Sequence, residues 1–240
     1  MKTMKPSTVS WNELDRHFNL CSMFCPKQPS CDKAVTLQTN HEHEVVSVCG
    51  EKPLKGQGDT GHTGRKLRLV LFEECHRRCS GCCNNDFDLP GLPVCDSYKD
   101  YELIMLTGGE PMLHPEKIAQ AINRIRQETA APIILYTALT VDKEVLSILL
   151  DEIDGITVTL HDNSDVKPFL DFDDYYVGAW GSSKTYRLNV FNGVEIDLGD
   201  VKGKWKVKPD IEWIKNCPLP EGEVLMRFES DERMREVCRR

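Results

Sequence analysis

Apolar residues along this chain form short runs and helical stripes that alternate with each other from Lys66 onward. Short, β-rich apolar runs of this kind are typical of buried strands. We predict five strands, in the segments KLRLVLF (66–72), ELIMLTGGEP (102–111), PIILYT (132–137), GITVTLHD (155–162) and TYRLNVF (185–191). Two shorter strands are expected in WKVKP (205–209) and VLMRF (224–228).

Two segments between these strands carry apolar residues at helical spacing, PEKIAQAINRIRQE (115–128) and DKEVLSILLDEI (142–153). The apolar positions that share a face are Ile118, Ala121, Ile122 and Ile125 in the first, and Val145, Leu149 and Ile153 in the second. Strand followed by helix, repeated, predicts an α/β fold with a parallel sheet and crossover helices. Ligands in such folds gather at the carboxyl ends of the strands.

The chain divides into three regions by composition and by the periodicity of its apolar residues. Residues 1–65 are polar with little periodicity, and their last part, GEKPLKGQGDTGHTGR (50–65), has the glycine and polar content of a linker. The core domain is expected at 66–230. A last helix is predicted at 231–240, because Ser230 can cap it, acidic residues follow in its first turn and arginines end it.

Charge and composition exclude some classes of function. The net charge of −8 argues against general nucleic-acid binding, which needs a basic surface. No apolar run approaches the ~20 residues of a membrane helix, and the N-terminus lacks the apolar centre of a secretory signal. We therefore expect a cytoplasmic protein. Its eleven cysteines then favour metal binding or reactivity over disulfides.

Three cysteines follow the first predicted strand at the spacing Cys75-x3-Cys79-x2-Cys82. Three thiolates can bind three irons of a four-iron cluster and leave the fourth iron open, as catalysis requires. A zinc site with a fourth ligand is the alternative, but this spacing fits zinc ribbons poorly. Cys83 adjoins Cys82, so its side chain should point elsewhere.

These cysteines after one strand, and GGEP (108–111) after the next, together resemble the radical S-adenosylmethionine (SAM) enzymes over about residues 66–230. The resemblance implies a partial (β/α)6-type parallel barrel, a [4Fe-4S] cluster on Cys75, Cys79 and Cys82, and SAM bound at the open iron. An electron donor such as flavodoxin or ferredoxin would reduce the cluster. Cleavage of SAM would then give a 5′-deoxyadenosyl radical that abstracts hydrogen from a substrate.

The resemblance also implies SAM contacts on the second motif. Gly108 and Gly109 would let the backbone approach the methionine amino group closely, which a side chain would obstruct. Glu110 would accept a hydrogen bond from that ammonium group, and Pro111 would stiffen the exit of the loop. No side chain is assigned a catalytic role.

Polar residues also end the third and fourth predicted strands, on the same rim as the cysteines. Thr137 and Asp162 are candidate SAM-binding residues, and His161 is a candidate contact for SAM or substrate. The alternative is that Thr137 and Asp162 only cap the helices that follow them.

The segment CSGCCNNDFDLPG (79–91) resembles the activating proteins of anaerobic ribonucleotide reductase, on Gly81 and Asn84. Most of the superfamily has a bulky residue at position 81 that abuts the adenine, so adenine packing must come from elsewhere here. Our leading hypothesis is an activase that abstracts hydrogen from a glycine of a partner glycyl-radical enzyme. The alternatives are a radical SAM enzyme acting on a small molecule, nucleotide or peptide, and a non-catalytic zinc-binding module.

A second group of cysteines lies in the N-terminal region, at the spacing Cys21-x3-Cys25-x5-Cys31 with Cys49 further on. This group can hold a second iron–sulfur cluster or a structural zinc ion. Free thiols in an extension are the alternative. The remaining cysteines, Cys95, Cys217 and Cys238, are scattered and are treated as ordinary.

Overall fold

The structure is a computed structural model that describes residues 64–79, 81–177, 184–203, 205–214 and 218–229, without the side chains of Cys83 and Val177. All of these residues belong to the second of the two units into which the chain divides, His62–Arg240. The predictions for the C-terminal helix and for six cysteines lie outside the described residues. Those cysteines are Cys21, Cys25, Cys31, Cys49, Cys217 and Cys238.

Seven strands form a single sheet in the described residues. They are β1 (Lys66–Val70), β2 (Leu103–Thr107), β3 (Ile133–Thr137), β4 (Gly155–Leu160), β5 (Thr185–Phe191), β6 (Lys206–Ile211) and β7 (Glu223–Arg227). Their order is β6-β5-β4-β3-β2-β1-β7, and every neighbouring pair is parallel. The prediction of an α/β fold with a parallel sheet is confirmed.

Three α-helices accompany the sheet in the described residues. They are α1 (Pro115–Glu128), α2 (Lys143–Asp151) and α3 (Val166–Phe172). The apolar positions predicted to share a face in the first two segments are all buried. Helix α3 was not predicted, because it is short and carries Pro168 in its first turn. Proline is tolerated there because that amide has no partner within the helix.

Strands β2 to β4 are buried along most of their length, as expected for a sheet covered on both faces, whereas buried positions alternate with more exposed ones along β5. Three strands end earlier than the segments in which they were predicted: β1 ends at Val70, β2 at Thr107 and β4 at Leu160. Beyond those residues the chain turns into loops. The carboxyl rim of the sheet therefore carries the polar residues that the sequence had placed at strand ends.

The connection between β1 and β2 carries the cysteine motif. Its described residues contain no α-helix and only one short 3₁₀ turn, Cys83–Asp86. Further on, Val94 forms an isolated bridge to Arg227 of β7. Strand β7 lies beside β1, a position that the sequence did not indicate. The three cysteines of the motif therefore lie on one loop, as predicted.

In the described part of the chain, no helix is both long and apolar enough to cross a membrane.

Candidate functional site

The cysteine loop, residues 71–86, begins at the carboxyl end of β1. Cys75 is exposed, Cys79 and Cys82 are half-buried, and all three are free thiols. The backbone amide of Cys82 donates to the carbonyl of Cys79 at 3.2 Å, and that of Asn85 donates to the carbonyl of Cys82 at 2.9 Å. Two successive turns thus bring Cys79 and Cys82 onto one compact segment.

Arg77 ties the cysteine loop to the end of β4. Its Nη1 donates to Oδ2 of Asp162 at 2.6 Å, and its Nη2 donates to Oδ1 of Asp165. The side chain of Asp165 is only 6% exposed, and its Oδ2 also accepts from the backbone amide of His161 at 2.8 Å. In the sheet order β4 lies three strands from β1, so Arg77 fixes the loop across the rim of the sheet.

The glycine loop, residues 108–111, docks on the cysteine loop through backbone hydrogen bonds. The amide of Gly109 donates to the carbonyl of Phe72, and the amide of Glu110 donates to that of Glu74, both at 2.8 Å. A Cβ at Gly109 would lie 1.8 Å from the carbonyl oxygen of Glu74. Gly108 has a φ of +135°, and its Cβ would lie 2.5 Å from the carbonyl oxygen of Phe72. Both glycines are therefore required for the two loops to meet.

Asn84 adds a side-chain link between the same two loops. Its Nδ2 donates to the carbonyl oxygen of Gly108 at 2.5 Å. Asn84 belongs to the short turn Cys83–Asp86 that follows the third cysteine of the motif. The position of the glycine loop is thus coupled to the turn that ends the cysteine motif.

Glu110 is almost fully buried, with 3% exposure. Its carboxylate accepts from the amide of Met112 at 3.1 Å, from the amide of Ala138 at 2.8 Å and from the hydroxyl of Thr137. Burial raises the pKa of Glu110, while these hydrogen bonds act in the opposite direction. Three donors leave about one acceptor position of the carboxylate for a ligand. Glu110 and Thr137 therefore join the ends of β2 and β3.

The two candidates at the end of β4 have different environments. Asp162 caps a short turn by accepting from the amide of Ser164 at 2.8 Å, and it is ion-paired with Arg77. Hydrogen bonds from Ser164 and Arg77 lower the pKa of Asp162 to about 2. His161 instead packs against Phe191 and Trp213. The capping interpretation of Asp162 thus describes its contacts, and 55% of its side chain remains exposed.

The cysteine loop can be compared with what an iron–sulfur cluster requires. Each thiolate of a four-iron cluster binds a different iron atom, so the three sulfurs need not converge on one point. Within the described ranges, no three His, Cys, Asp or Glu side chains are placed to hold a single metal ion. Burial raises the pKa values of Cys75 and Cys79; Glu110 and then Cys82 add to this at Cys75, and Cys82 adds to it at Cys79. Three free thiols on one loop are the set of donors that such a cluster requires.

The other cysteine that the structure describes in full is not part of this site. Cys95 is buried, and its Sγ lies 3.3 Å from the carbonyl oxygen of Ser97. Burial raises the pKa of the Cys95 thiol to about 11. Cys83 begins the short turn after the motif, but its side chain is outside the described residues.

Sequence reasoning missed three residues that shape this site: Arg77, Asp165 and Trp213. Arg77 lies inside the cysteine motif, and an arginine in such a polar segment is ordinarily expected to be a solvated surface residue. Asp165 stands in a polar segment, NSD, that carries no periodic signal. Trp213 stands in IEWIKN, where alternation is lost after β6. Only the three-dimensional structure shows that all three reach the cysteine loop or its anchor.

A scan against models of protein families and a search of curated proteins both found no match for this chain.

Proposed function

We propose that this chain is a radical SAM enzyme, in which Cys75, Cys79 and Cys82 hold a [4Fe-4S] cluster whose open iron binds SAM. One observation carries the proposal: the cysteine loop and the glycine loop dock on each other at the carboxyl rim of a parallel sheet. Two backbone hydrogen bonds and the Asn84 side chain make that contact. The three free thiols and the buried Glu110 thereby lie on one rim, where ligands of such sheets bind.

When bound and reduced, the cluster supplies the electron that cleaves a C–S bond of SAM to give methionine and a 5′-deoxyadenosyl radical. The protein's own residues hold and orient the reactants. The positive charge of Arg77 lowers the pKa values of Cys75 and Cys79 against the effect of burial, while Asp162 and Asp165 pair with the same guanidinium. The remaining acceptor position of Glu110 is available to the ammonium group of SAM.

The partial (β/α)6 barrel that the resemblance implies is also part of this proposal. In a flat sheet, β6 would lie about 24 Å from β1, at a spacing of ~4.8 Å per strand. A Cβ on Gly81 of the cysteine loop would nevertheless lie 2.5 Å from the side chain of Trp213, just beyond β6. Contact between the loops after these distant strands supports a sheet that curves around the rim.

Within the superfamily, we favour an activase that abstracts hydrogen from a glycine backbone of a partner glycyl-radical enzyme. Support comes from the resemblance at Gly81 and Asn84, and Asn84 couples the two loops of the site. A radical SAM enzyme that acts on a small molecule, nucleotide or peptide is the second candidate. An electron donor such as flavodoxin or ferredoxin would serve either. The unpaired thiols of the motif suit the reducing cytoplasm.

The test is SAM cleavage by the anaerobically reconstituted and reduced protein. We expect 5′-deoxyadenosine to form, and we expect none from a Cys79→Ala variant handled identically. A glycine-centred radical detected by electron spin resonance on an added anaerobic ribonucleotide reductase would support the activase. Formation of 5′-deoxyadenosine with loss of a small metabolite would favour the second candidate. Stoichiometric zinc and no SAM cleavage would instead support the zinc-binding module.

A further inference from the structure

Three aromatic rings meet at the carboxyl rim, and we call them the aromatic cluster: His161, Phe191 and Trp213. Their centroids lie 4.9 Å apart for His161 and Phe191, 5.4 Å for His161 and Trp213, and 4.3 Å for Phe191 and Trp213. The rings of His161 and Trp213 are within 14° of parallel. The three rings lie at the ends of adjacent strands: His161 follows β4, Phe191 is the last residue of β5, and Trp213 follows β6.

The backbone just before Trp213 has an irregular conformation that directs this residue toward the rim. Asp210 has a φ of +53°, in the left-handed region that a non-glycine residue rarely adopts. The register between β5 and β6 is irregular at the same point, between Asn189 and Phe191. Irregularities of this kind bend a strand and redirect the side chains beyond it. The position of Trp213 therefore depends on a bend near the end of β6.

Trp213 packs directly on the cysteine loop, at Gly81. A Cβ added to Gly81 would lie 2.5 Å from Cγ and 2.7 Å from Cδ2 of the indole, closer than real Cβ contacts come. Gly81 and Trp213 therefore depend on each other: the glycine leaves the space that the indole uses. The indole of Trp213, which follows β6, thus occupies the space into which a larger side chain at position 81 would project.

The aromatic cluster retains an apolar surface and a polar atom without a partner. Trp213 is 41% exposed although Gly81 and two rings contact it. The Nδ1 atom of His161 is buried and has no hydrogen-bond partner. The exposed indole offers a surface for stacking, and a planar heterocycle is the class of ligand that uses such a surface.

We propose that Trp213 provides the stacking surface for the adenine of SAM, with His161 and Phe191 as its support. This inference rests on the proposed function, because the base it recognises is that of SAM. It assigns a role in ligand binding to a residue distant in sequence from both motifs. It also explains why position 81 is a glycine.

The experiment measures the affinity of the reconstituted protein for SAM by equilibrium dialysis, with iron content determined for every variant. Stacking of a base on an aromatic ring contributes enough that Trp213→Leu should weaken SAM binding about 5- to 150-fold. Leucine preserves apolar bulk against Phe191, so the fold is retained without the indole. Trp213→Phe should recover most of the loss. Ile214→Ala, a change at the neighbouring residue that is 61% exposed, should leave the affinity within about twofold.

A second pair of variants tests the dependence between Gly81 and Trp213. Gly81→Ala should weaken SAM binding in the wild-type background, because its Cβ displaces the indole. The same change should have no further effect in a Trp213→Gly background, which lacks the Cβ and Cγ atoms that the added methyl group would meet. Additive losses in the double variant would overturn the proposed packing.

Methionine, which lacks the base, distinguishes the possible outcomes when it competes with SAM. Its binding should be the same in wild type and in Trp213→Leu. Equal losses for methionine and SAM, or unchanged SAM binding in Trp213→Leu at wild-type iron content, would overturn the inference and leave the proposed function standing. A wild-type protein that binds neither iron nor SAM would contradict the proposed function itself.

Discussion

Strand β4 carries an arginine–aspartate pair at each end, and the two pairs differ in their surroundings. At the amino end, Arg126 pairs with Asp154 at 2.7 Å, with 31% and 50% of the two side chains exposed. At the carboxyl end, Arg77 pairs with Asp165, and these side chains are 17% and 6% exposed. The first pair lies largely in water and the second largely out of it.

The two pairs differ in burial because they hold different parts of the molecule together. Asp154 also accepts from the amide of Ile133, so the amino-end pair joins the start of β4 to the start of β3. The carboxyl-end pair holds a loop that carries three free thiols. A buried pair stabilises a fold little in net terms, because desolvation offsets the attraction, but removing one partner is strongly destabilising. The buried pair at the carboxyl end thus fixes the position of the cysteine loop.

The largest effect is expected for the cysteines that the carboxyl-end pair holds in place. Cys79→Ala should abolish the bound iron and all SAM cleavage, because a cluster needs all three thiolates. Cys95→Ala should retain the iron, since that thiol is buried elsewhere, and should lower the free energy of unfolding by about 1 kcal/mol. Cys83→Ala should also retain the iron. Iron analysis and absorbance spectra make the measurement. Iron loss in Cys83→Ala with retention in Cys82→Ala would contradict our choice of ligands.

Arginine replacement tests the comparison between the two ends directly. Arg77→Ala leaves Asp165 buried without its cation, so the free energy of unfolding should fall by about 3 kcal/mol, and iron should be lost faster in air. Arg126→Ala, the matched change at the exposed end, should lower it by only about 0–1 kcal/mol. Denaturant unfolding and timed iron release are the measurements. Equal destabilisation by both changes would remove the distinction between the ends.

Glu110→Gln should affect the carboxyl end in two ways. An amide NH₂ group would face one of the donors that the carboxylate now accepts from, so the free energy of unfolding should fall by about 1–3 kcal/mol. SAM binding should weaken about tenfold or more, because a charge-assisted hydrogen bond is lost. Glu128→Gln is the control, since Glu128 also accepts from a backbone amide, that of Tyr98, away from the rim. Unchanged SAM affinity in Glu110→Gln would remove Glu110 from the ligand site.

The smallest expected effect is a pH dependence at His161. Burial lowers the pKa of His161 from its ordinary 6.5, and Arg77 acts in the same direction, while Asp162 and Asp165 oppose it. The unfolded chain therefore binds a proton more tightly than the folded protein. Stability should fall as pH drops below 6.5, by at most about 1.4 kcal/mol per unit, until the lowered pKa is passed.

His161→Phe keeps a ring in the aromatic cluster and removes the titrating group. The difference in unfolding free energy between wild type and this variant should be constant above pH 7.5 and should change below 6.5. Unfolding curves measured at several pH values provide the comparison. A difference that stays constant across the whole range would show that His161 does not titrate with a lowered pKa.

Sequence reasoning predicted the elements that repeat a simple period. Helix α1 begins and ends where its apolar spacing indicated, at Pro115 and Glu128, and β5 also has its predicted bounds, Thr185–Phe191. Both depend on local patterns of burial, which a sequence displays directly. Helix α3 spans only seven residues and includes Pro168, so its apolar spacing was too short to identify.

The links between loops could not be predicted, because they join residues far apart in the chain. Arg77 and Asp165, and Gly81 and Trp213, are contacts that depend on how the sheet curves and on where β6 ends. Sequence reasoning did indicate that two motifs share the rim, since both follow strands of a parallel sheet. It did not show that Gly108 and Gly109 are needed for the approach of the cysteine loop itself.

The central claim is that the cysteine loop at the carboxyl rim holds an iron–sulfur cluster that opens to SAM. Its most direct test is anaerobic reconstitution of the chain with iron and sulfide, followed by metal analysis and by electron spin resonance of the reduced protein with and without SAM. We predict about four irons per chain, or about eight if the N-terminal cysteines hold a second cluster, and a resonance signal that SAM alters. Stoichiometric zinc with no iron, or a cluster signal indifferent to SAM, would contradict the claim.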